Sequence, residues 1–284
     1  MKFFAQLHEN KRQRDKSAFQ EVSLSDPELI PLLAELAAEE GTNIQPIELA
    51  VALEKCRAFL HCYGVKWNHE LIAVTLSCFS QTIDEQGHAV PGFDLLDLVV
   101  TSRLRGKGVG SFLLTELQKT YARVGHNTMR WSLLEGNHPA RAFYDALGPK
   151  LEKSNKFFLF PPKGSPVSTG IWQIDSRETH NDNSATYSVR YCSKKINLTL
   201  MPSFDASLPG VTAEIFCNND EETVISKQDL QEFWFLLFSK SAELWDISYL
   251  TWHDQNLPSW LQPTGATIAI GTEHFSSNFS LLQE

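Results

Sequence analysis

A glycine-rich basic turn between an apolar strand and an amphipathic helix is the feature that most constrains this chain. The turn, residues 102–111, reads SRLRGKGVGS and directly follows the apolar segment LLDLVV, residues 95–100. Apolar side chains then recur at helical spacing, which predicts a helix that begins near Gly108. The free N–H groups and positive dipole end of such a helix form an anion site, which glycines let the backbone approach closely. We therefore predict a phosphate site, with positive charge added by Arg105 and Lys107.

The spacing of the glycines separates three kinds of phosphate site. The pattern G-x-x-x-x-G-K-[ST] of nucleotide-triphosphate loops is absent. A dinucleotide fingerprint requires G-x-G-x-x-G, but Gly106, Gly108 and Gly110 alternate, and Ser111 stands where the third glycine belongs. Three strand-like runs joined by turns precede the loop, which favours an antiparallel sheet and disfavours a dinucleotide fold. The third interpretation is a site for the pyrophosphate of coenzyme A.

The loop and its flanks also carry a family resemblance. Residues 98–114, LVVTSRLRGKGVGSFLL, resemble the acyl-CoA-binding signature R/Q-x-x-G-x-G/A of the GCN5-related N-acetyltransferase (GNAT) family. Arg105, Gly108 and Gly110 occupy its fixed positions. One departure is Ser102, which stands where the family often has proline. That departure changes the turn into the loop and removes no phosphate-binding group.

A second landmark of the family follows about 30 residues later. Residues 137–148, NHPARAFYDALG, resemble its asparagine that leads into a short helix with an aromatic pair. The order of predicted elements also matches: two helices, an antiparallel meander, the signature helix, a strand, a short helix and a strand. The resemblance covers residues 20–160. It implies a mostly antiparallel central sheet flanked by helices, so the predicted class is α+β (mixed α/β).

This resemblance implies that residues of the strand end, the glycine-rich loop and the later asparagine bind acetyl-CoA as cosubstrate. The backbone of residues 98–100 should pair with the pantetheine arm as an added strand would, and the loop should wrap the pyrophosphate. Asn137 should contact the pantetheine arm, and no metal is implied. The predicted set is Leu98, Val99, Val100, Arg105, Gly106, Lys107, Gly108, Val109, Gly110, Ser111 and Asn137.

Acetyl transfer to an amine needs an acid, an oxyanion donor and a base. The resemblance implies Tyr144 as the acid for the leaving thiolate and the Val100 N–H as the oxyanion contact. The base stays open among Asp94, Asp97, Glu135 and a chain of waters. Asp94 and Asp97 are three residues apart on one strand, and that spacing predicts opposite faces, with only one facing the site.

The sequence constrains the acceptor substrate less than it constrains the cosubstrate. The segment before and within the loop resembles that of diamine and polyamine acetyltransferases, and a net charge of −9 is compatible with cationic substrates. Leu96 stands where those enzymes tend to carry a glutamate. We expect an acetyl-CoA-dependent N-acetyltransferase that acts on a primary amine of a small molecule or peptide. The alternative from another class is a non-catalytic acyl-CoA-binding sensor or interaction module.

A breaker-rich segment, PPKGSPVSTG at residues 161–170, predicts the domain boundary. We expect an acetyltransferase domain at 1–162 and a smaller α+β accessory domain at 163–284, with a buried helix at 226–245. The accessory domain is expected to pack on the first domain or on a second subunit and to shape the acceptor side. The sequence shows no internal repeat and no second glycine loop.

Composition limits the compartment and the partners. The acidic balance disfavours a nucleic-acid binder. Five cysteines without a C-x-x-C pair predict free thiols in a reducing cytoplasm and disfavour structural zinc. The N-terminal apolar run is too short for a signal peptide, and no run has the ~18 apolar residues of a membrane span. We expect a cytoplasmic protein whose partners are acetyl-CoA and an amine, with a homodimer left open.

Overall fold

The computed structural model describes most of the 284-residue chain. The described residues are 19–39, 44–83, 89–134, 137–146, 150–159, 171–180, 183–204, 211–217, 223–247, 249–253, 258–261 and 267–278. They fall into two compact units. The first comprises 1–131, 206–209 and 276–284, and the second comprises 132–205 and 210–275. The boundary at 162 stays a prediction, because neither unit begins or ends there.

The first unit is built on an antiparallel meander that ends in a parallel strand. Strands β1 to β4 pair in order, each antiparallel to the next, and β5 then pairs parallel to β4. Its elements are β1 (Phe19–Glu21), α1 (Leu29–Glu39), α2 (Pro46–Lys55), β2 (Leu60–Trp67), β3 (Glu70–Ile83), β4 (Ala89–Val100), a 3₁₀ turn (Ser102–Leu104), α3 (Val109–Ala122) and the start of β5 (Thr128–Leu134).

The core of the first unit surrounds β3. Its residues 71–78 are all buried, so both faces of the sheet are covered at this strand. Helix α3 packs against β3 and β4, and its Tyr121 stacks on Phe93 with ring centroids 4.0 Å apart. The Tyr121 hydroxyl and the Ser77 hydroxyl are 2.8 Å apart and share a buried hydrogen bond. Burial raises the pKa of Tyr121, so this hydroxyl stays protonated and packed. These contacts fix where α3 begins relative to the end of β4.

The second unit follows a related order. Strands β7 to β10 form an antiparallel meander, β11 pairs parallel to β10, and β6 pairs antiparallel to β11. Its elements are α4 (His138–Asp145), β6 (Lys150–Leu159), β7 (Trp172–Thr179), β8 (Ala185–Tyr191), β9 (Lys194–Phe204), β10 (Val211–Cys217), α5 (Lys227–Trp245), β11 (Tyr249–His253), a 3₁₀ turn (Ser259–Leu261) and most of β12 (Thr267–Asn278).

The predicted α+β class is confirmed, and the structure contains the two helices expected before the meander, the helix expected from near Gly108 and the helix expected at 226–245. Strands β1, β7 and β11 were not predicted. In β7 only the first residue is buried, and its polar sequence WQIDSRET lacks the alternation that marks a half-buried strand. Among the described residues, no helix combines the length and apolar character that crossing a membrane requires.

Candidate functional site

Helix α3 begins with an open N-terminus. Its N-cap residue is Gly108, at φ 84° and ψ 2°, a left-handed conformation that favours glycine, and no side chain caps the helix. The first turn therefore leaves the N–H groups of Val109, Gly110 and Ser111 without intrahelical partners. Gly106 also has a positive φ, 69°, and a side chain there would meet nothing within 4 Å. This geometry matches what the glycine-rich turn predicts, which is a backbone concavity that suits an anion.

Beside that concavity, the end of β4 has an edge on which, among the described residues, no strand pairs. The parallel ladder between β4 and β5 ends at Leu95 and Trp131, although β4 continues to Val100. On the other edge of β4, the Thr101 N–H donates to the Ile72 carbonyl at 3.0 Å.

Alternation along an antiparallel pair then fixes the direction of each backbone group. The pair of Val100 with Ala73 is of the non-hydrogen-bonded type, and so is the pair of Leu98 with Thr75. The N–H and C=O groups of Leu98 and Val100 consequently point away from β3, towards the edge where, among the described residues, no strand pairs. Those of Val99 point towards β3. Two of the three predicted pantetheine-binding residues therefore present their backbone to the open edge.

A β-bulge in β4 corrects one sequence expectation. Leu76 pairs with Asp97, but Ser77 pairs with Leu95, so Leu96 is an extra residue in β4. Asp94 pairs with Cys78, two residues from Leu76 on β3. The carboxylates of Asp94 and Asp97 therefore lie on the same face of the sheet. The prediction of opposite faces was wrong, because the extra residue resets the two-residue period.

The two carboxylates differ in their surroundings. The Asp94 carboxylate accepts two hydrogen bonds from Arg130, from Nε at 2.7 Å and from Nη2 at 2.8 Å. This bidentate pair is partly buried and holds β4 to β5 where the two strands still pair. Asp94 is thus engaged in a structural contact. Asp97 lies three residues nearer to the loop and is half-buried.

Two glutamates of α1 hold the basic loop, a role that no local pattern of the sequence predicts. The guanidinium of Arg105 lies 2.8 Å from Glu39 and 3.7 Å from Glu35. Its Nε donates to the Val100 carbonyl at 2.9 Å, a carbonyl of the open edge. Glu35 also accepts the Ser102 N–H at 3.0 Å. Arg105 therefore links the loop, the strand end and α1, and an anion bound at the helix terminus would compete with the two glutamates for it.

The other loop cations have local partners. Lys107 donates through Nζ to the Arg103 carbonyl at 2.8 Å, which closes the loop on itself. Arg103 forms an ion pair with Glu70 and thereby lowers the pKa of that carboxyl. The side chains of Arg105 and Lys107 are exposed, so both can reorient towards an incoming anion.

Replacing Glu39 with glutamine should strengthen CoA binding. The substitution removes the nearest competitor for the Arg105 guanidinium and leaves the loop backbone intact. Because exposed ion pairs are weak, we expect Kd to fall about twofold to fivefold at low salt, and less at high salt. Isothermal titration calorimetry measures the change. Glu54→Gln is the matched control, since it breaks a similarly exposed pair with Arg57 that does not involve the loop. An unchanged or higher Kd for Glu39→Gln would contradict the competition.

The remaining predicted residues lie in the second unit. Asn137 caps α4, and its Oδ1 accepts the Ala140 N–H at 3.3 Å. Tyr144 is buried, and its ring meets Phe143 edge-on with centroids 4.9 Å apart. Glu135 lies outside the described residues. Their predicted roles at the cosubstrate stay predictions. Among the described residues, no group of three or more His, Cys, Asp or Glu side chains could hold a metal ion.

Comparison with known proteins agrees with the resemblance. Residues 30–148 match the model of the Acetyltransferase (GNAT) family. The matched span begins in α1, includes the loop and α3, and ends after α4. Residues 30–148 are therefore similar to a GNAT acetyltransferase domain, a fold that supports acyl-CoA-dependent N-acyltransferase activity in general. The C-terminal region matches no family model.

Solved structures resemble the chain over most of its length. A GCN5-related glucosamine N-acetyltransferase region of a fungal multi-domain GH3 beta-N-acetylglucosaminidase matches 89% of this chain and 38% of that chain, at 10% identity and a TM-score of 0.50. A tandem GNAT protein from the clavulanic acid biosynthesis pathway matches 92% of this chain and 98% of that chain, at 12% identity and a TM-score of 0.48. A probable N-acyltransferase from Enterococcus faecalis matches 92% and 72%, at 14% identity and a TM-score of 0.45. At these identities the likeness concerns the fold alone.

Proposed function

We propose that this chain transfers an acetyl group from acetyl-CoA to a primary amine of a small molecule or peptide. The observation that carries the proposal is the adjacency of two open features in one unit. Helix α3 has an uncapped N-terminus, and β4 ends in outward-facing backbone groups at Leu98 and Val100. The first feature suits a pyrophosphate and the second suits the amide-rich pantetheine arm, so together they fit the two chemically distinct parts of coenzyme A.

The proposed reaction is direct attack on the thioester. The neutral amine nitrogen bonds to the carbonyl carbon, and the N–H of Val100, which points to the open edge, stabilises the negative charge on the carbonyl oxygen. The C–S bond then breaks, and the thiolate takes a proton from the Tyr144 hydroxyl. The amine loses its proton to a base. Proton exchange through solvent then carries a proton from the base to the Tyr144 phenolate, so both groups return to their starting states.

The geometry narrows the choice of base. Asp94 is disfavoured, because its carboxylate already accepts both hydrogen bonds of a bidentate pair with Arg130. Asp97, Glu135 and a water chain stay as alternatives. For Asp97, the test is the pH profile of kcat/KM in Asp97→Asn. Loss of the acidic limb of that profile would support Asp97 as the base, and an unchanged limb would exclude it.

One assay on the full chain measures which acyl-CoA donor and which amine acceptor the protein prefers. Acetyl-CoA, propionyl-CoA and succinyl-CoA are each incubated with a panel of diamines, amino sugars and peptides, and released thiol is followed. We expect the highest kcat/KM with acetyl-CoA and a primary amine. Thermal stabilisation by CoA without acetylation of any amine would favour a non-catalytic acyl-CoA sensor instead. The absence of stabilisation by every acyl-CoA would overturn the proposal.

Tyr144→Phe should lower turnover and leave acetyl-CoA affinity nearly unchanged. The substitution removes only the hydroxyl of a buried ring, so packing against Phe143 is kept. Loss of a general acid typically costs about a hundredfold in rate, and we expect that loss in kcat with Kd for acetyl-CoA within about twofold. Steady-state kinetics and calorimetry measure the two values. Phe143→Leu is the control for packing. A Tyr144→Phe variant with wild-type kcat would restrict Tyr144 to a packing role.

A further inference from the structure

The second unit repeats the arrangement that forms the candidate site in the first. In both units an antiparallel meander leads into a strand, then a helix, then a strand parallel to the first: β4–α3–β5 and β10–α5–β11. In both, the parallel ladder stops before the leading strand ends. The β4 ladder stops at Leu95 of a strand that continues to Val100, and the β10 ladder stops at Glu214 of a strand that continues to Cys217. The sequence shows no such repeat.

The connection into the helix differs in charge and in backbone freedom. Between β4 and α3, residues 101–108 read TSRLRGKG, with three cations and two glycines. Between β10 and α5, residues 218–226 read NNDEETVIS, with three carboxylates, no cation and no glycine. A pyrophosphate is attracted by the first sequence and repelled by the second.

Side chains of the protein already occupy the N-terminus of α5, both from its own first turn and from β7 and β8. Ser226 is the N-cap, and its Oγ accepts the Asp229 N–H at 3.1 Å. The same hydroxyl donates to Asp229 Oδ2 at 2.7 Å, and the Tyr191 hydroxyl donates to that oxygen at 3.0 Å. Trp172 donates through Nε1 to the Asp229 carbonyl at 2.7 Å. Asp229 thus places a hydrogen-bonded carboxylate in the first turn, where the helix dipole stabilises it and where it opposes any second anion. Helix α3 has no such side-chain cap.

We infer that the second unit is a copy of the acyl-CoA-binding arrangement that has lost the ability to bind coenzyme A. Any CoA that the chain holds lies at the α3 terminus, and the α5 terminus takes none. The location of the bound CoA rests on the proposed function, whereas the closure of the α5 terminus rests on Ser226, Asp229 and Tyr191 alone.

Two matched variants and one mapping experiment test this inference on the full chain. Gly110 and Gln228 are the second residues of α3 and α5, so Gly110→Glu and Gln228→Glu place the same charge at the same helical position. Native mass spectrometry counts CoA per chain, and hydrogen exchange with and without saturating CoA maps protection at 101–112 and 223–232. We expect one CoA in the wild type and in Gln228→Glu, none in Gly110→Glu, and protection at 101–112 only.

The outcomes separate the inference from the proposed function. Two CoA molecules per chain, protection at 223–232, or a Gln228→Glu variant that loses CoA would overturn the inference. A chain that binds no CoA and shows no protection at either segment would overturn the proposed function and still support closure of the α5 terminus. Binding that survives in Gly110→Glu with protection at 223–232 would overturn both.

Discussion

Gly110→Glu should abolish CoA binding, with Kd raised about a thousandfold. Gly110 is the second residue of α3 and is not among the glycines with positive φ, so a glutamate fits its backbone. The new carboxylate would face a phosphate at the helix terminus, and we take a separation of about 4 Å between the two charges for the calculation. At an effective dielectric constant of about 20, that repulsion is about 4 kcal/mol, which corresponds to the thousandfold change. The proposed acetyl transfer would be lost with it.

The choice of Gly110 instead of Gly108 separates charge from strain. Gly108→Glu should also abolish binding, but Gly108 is left-handed, and any side chain there adds about 1–2 kcal/mol of backbone strain. Gly110→Ala is the control for volume and should keep CoA affinity within about threefold. Circular dichroism and thermal unfolding confirm that each variant is folded, and calorimetry measures Kd. Wild-type affinity in a folded Gly110→Glu protein would refute the phosphate assignment.

The loop was readable from the sequence because its determinants are local. Positive φ at Gly106 and Gly108, and the apolar stripe that starts α3, are each encoded within a few residues. The same holds for the starts of α1 and α2, which Pro27 and Pro46 mark in the sequence. The backbone geometry at the start of α3 therefore follows from residues 102–111 alone.

The features that were not readable depend on pairing between distant segments. The bulge at Leu96 exists only relative to β3, so the strand period alone placed Asp94 and Asp97 on opposite faces. The contact of Arg105 with Glu35 and Glu39 joins residues about 70 positions apart. Such contacts carry no local signature, because exposed glutamates on a helix are ordinary in any soluble domain.

The repeat of the strand–helix–strand arrangement was hidden for a related reason. Topology is set by the order of the strands and by which strand edges pair. Many different amino acids are therefore compatible with it at most positions. The glycines and cations of residues 101–108 are the proposed phosphate-binding residues, and the corresponding segment of the second unit has acidic residues instead. A comparison of sequences therefore loses the one motif that would have revealed the copy.

Ending the chain at residue 162, the predicted domain boundary, should yield a fragment that does not fold into a stable soluble protein. The cut divides the second unit, because α4 and β6 belong to that unit. Strand β6 pairs with β11, from Lys156 with His253 to Leu159 with Leu250. Without β11 this strand exposes an unpaired edge, which is a template for aggregation. If this expectation holds, the domain needs more of the chain than the matched residues 30–148.

Coexpression of the two fragments tests whether the fragment 1–162 fails to fold because β6 lacks its partner strand β11. Residues 1–162 and 163–284 are expressed separately and together, and soluble yield, oligomeric state and CoA binding are measured. We expect 1–162 alone to be insoluble and coexpression to recover a soluble complex that binds CoA, because β11 then reaches β6 from the second chain. A fragment 1–162 that is monomeric, unfolds cooperatively and binds CoA as tightly as the full chain would show that β6 holds its place without β11. In that case the boundary at 162 would stand, and the C-terminal residues would serve the acceptor alone.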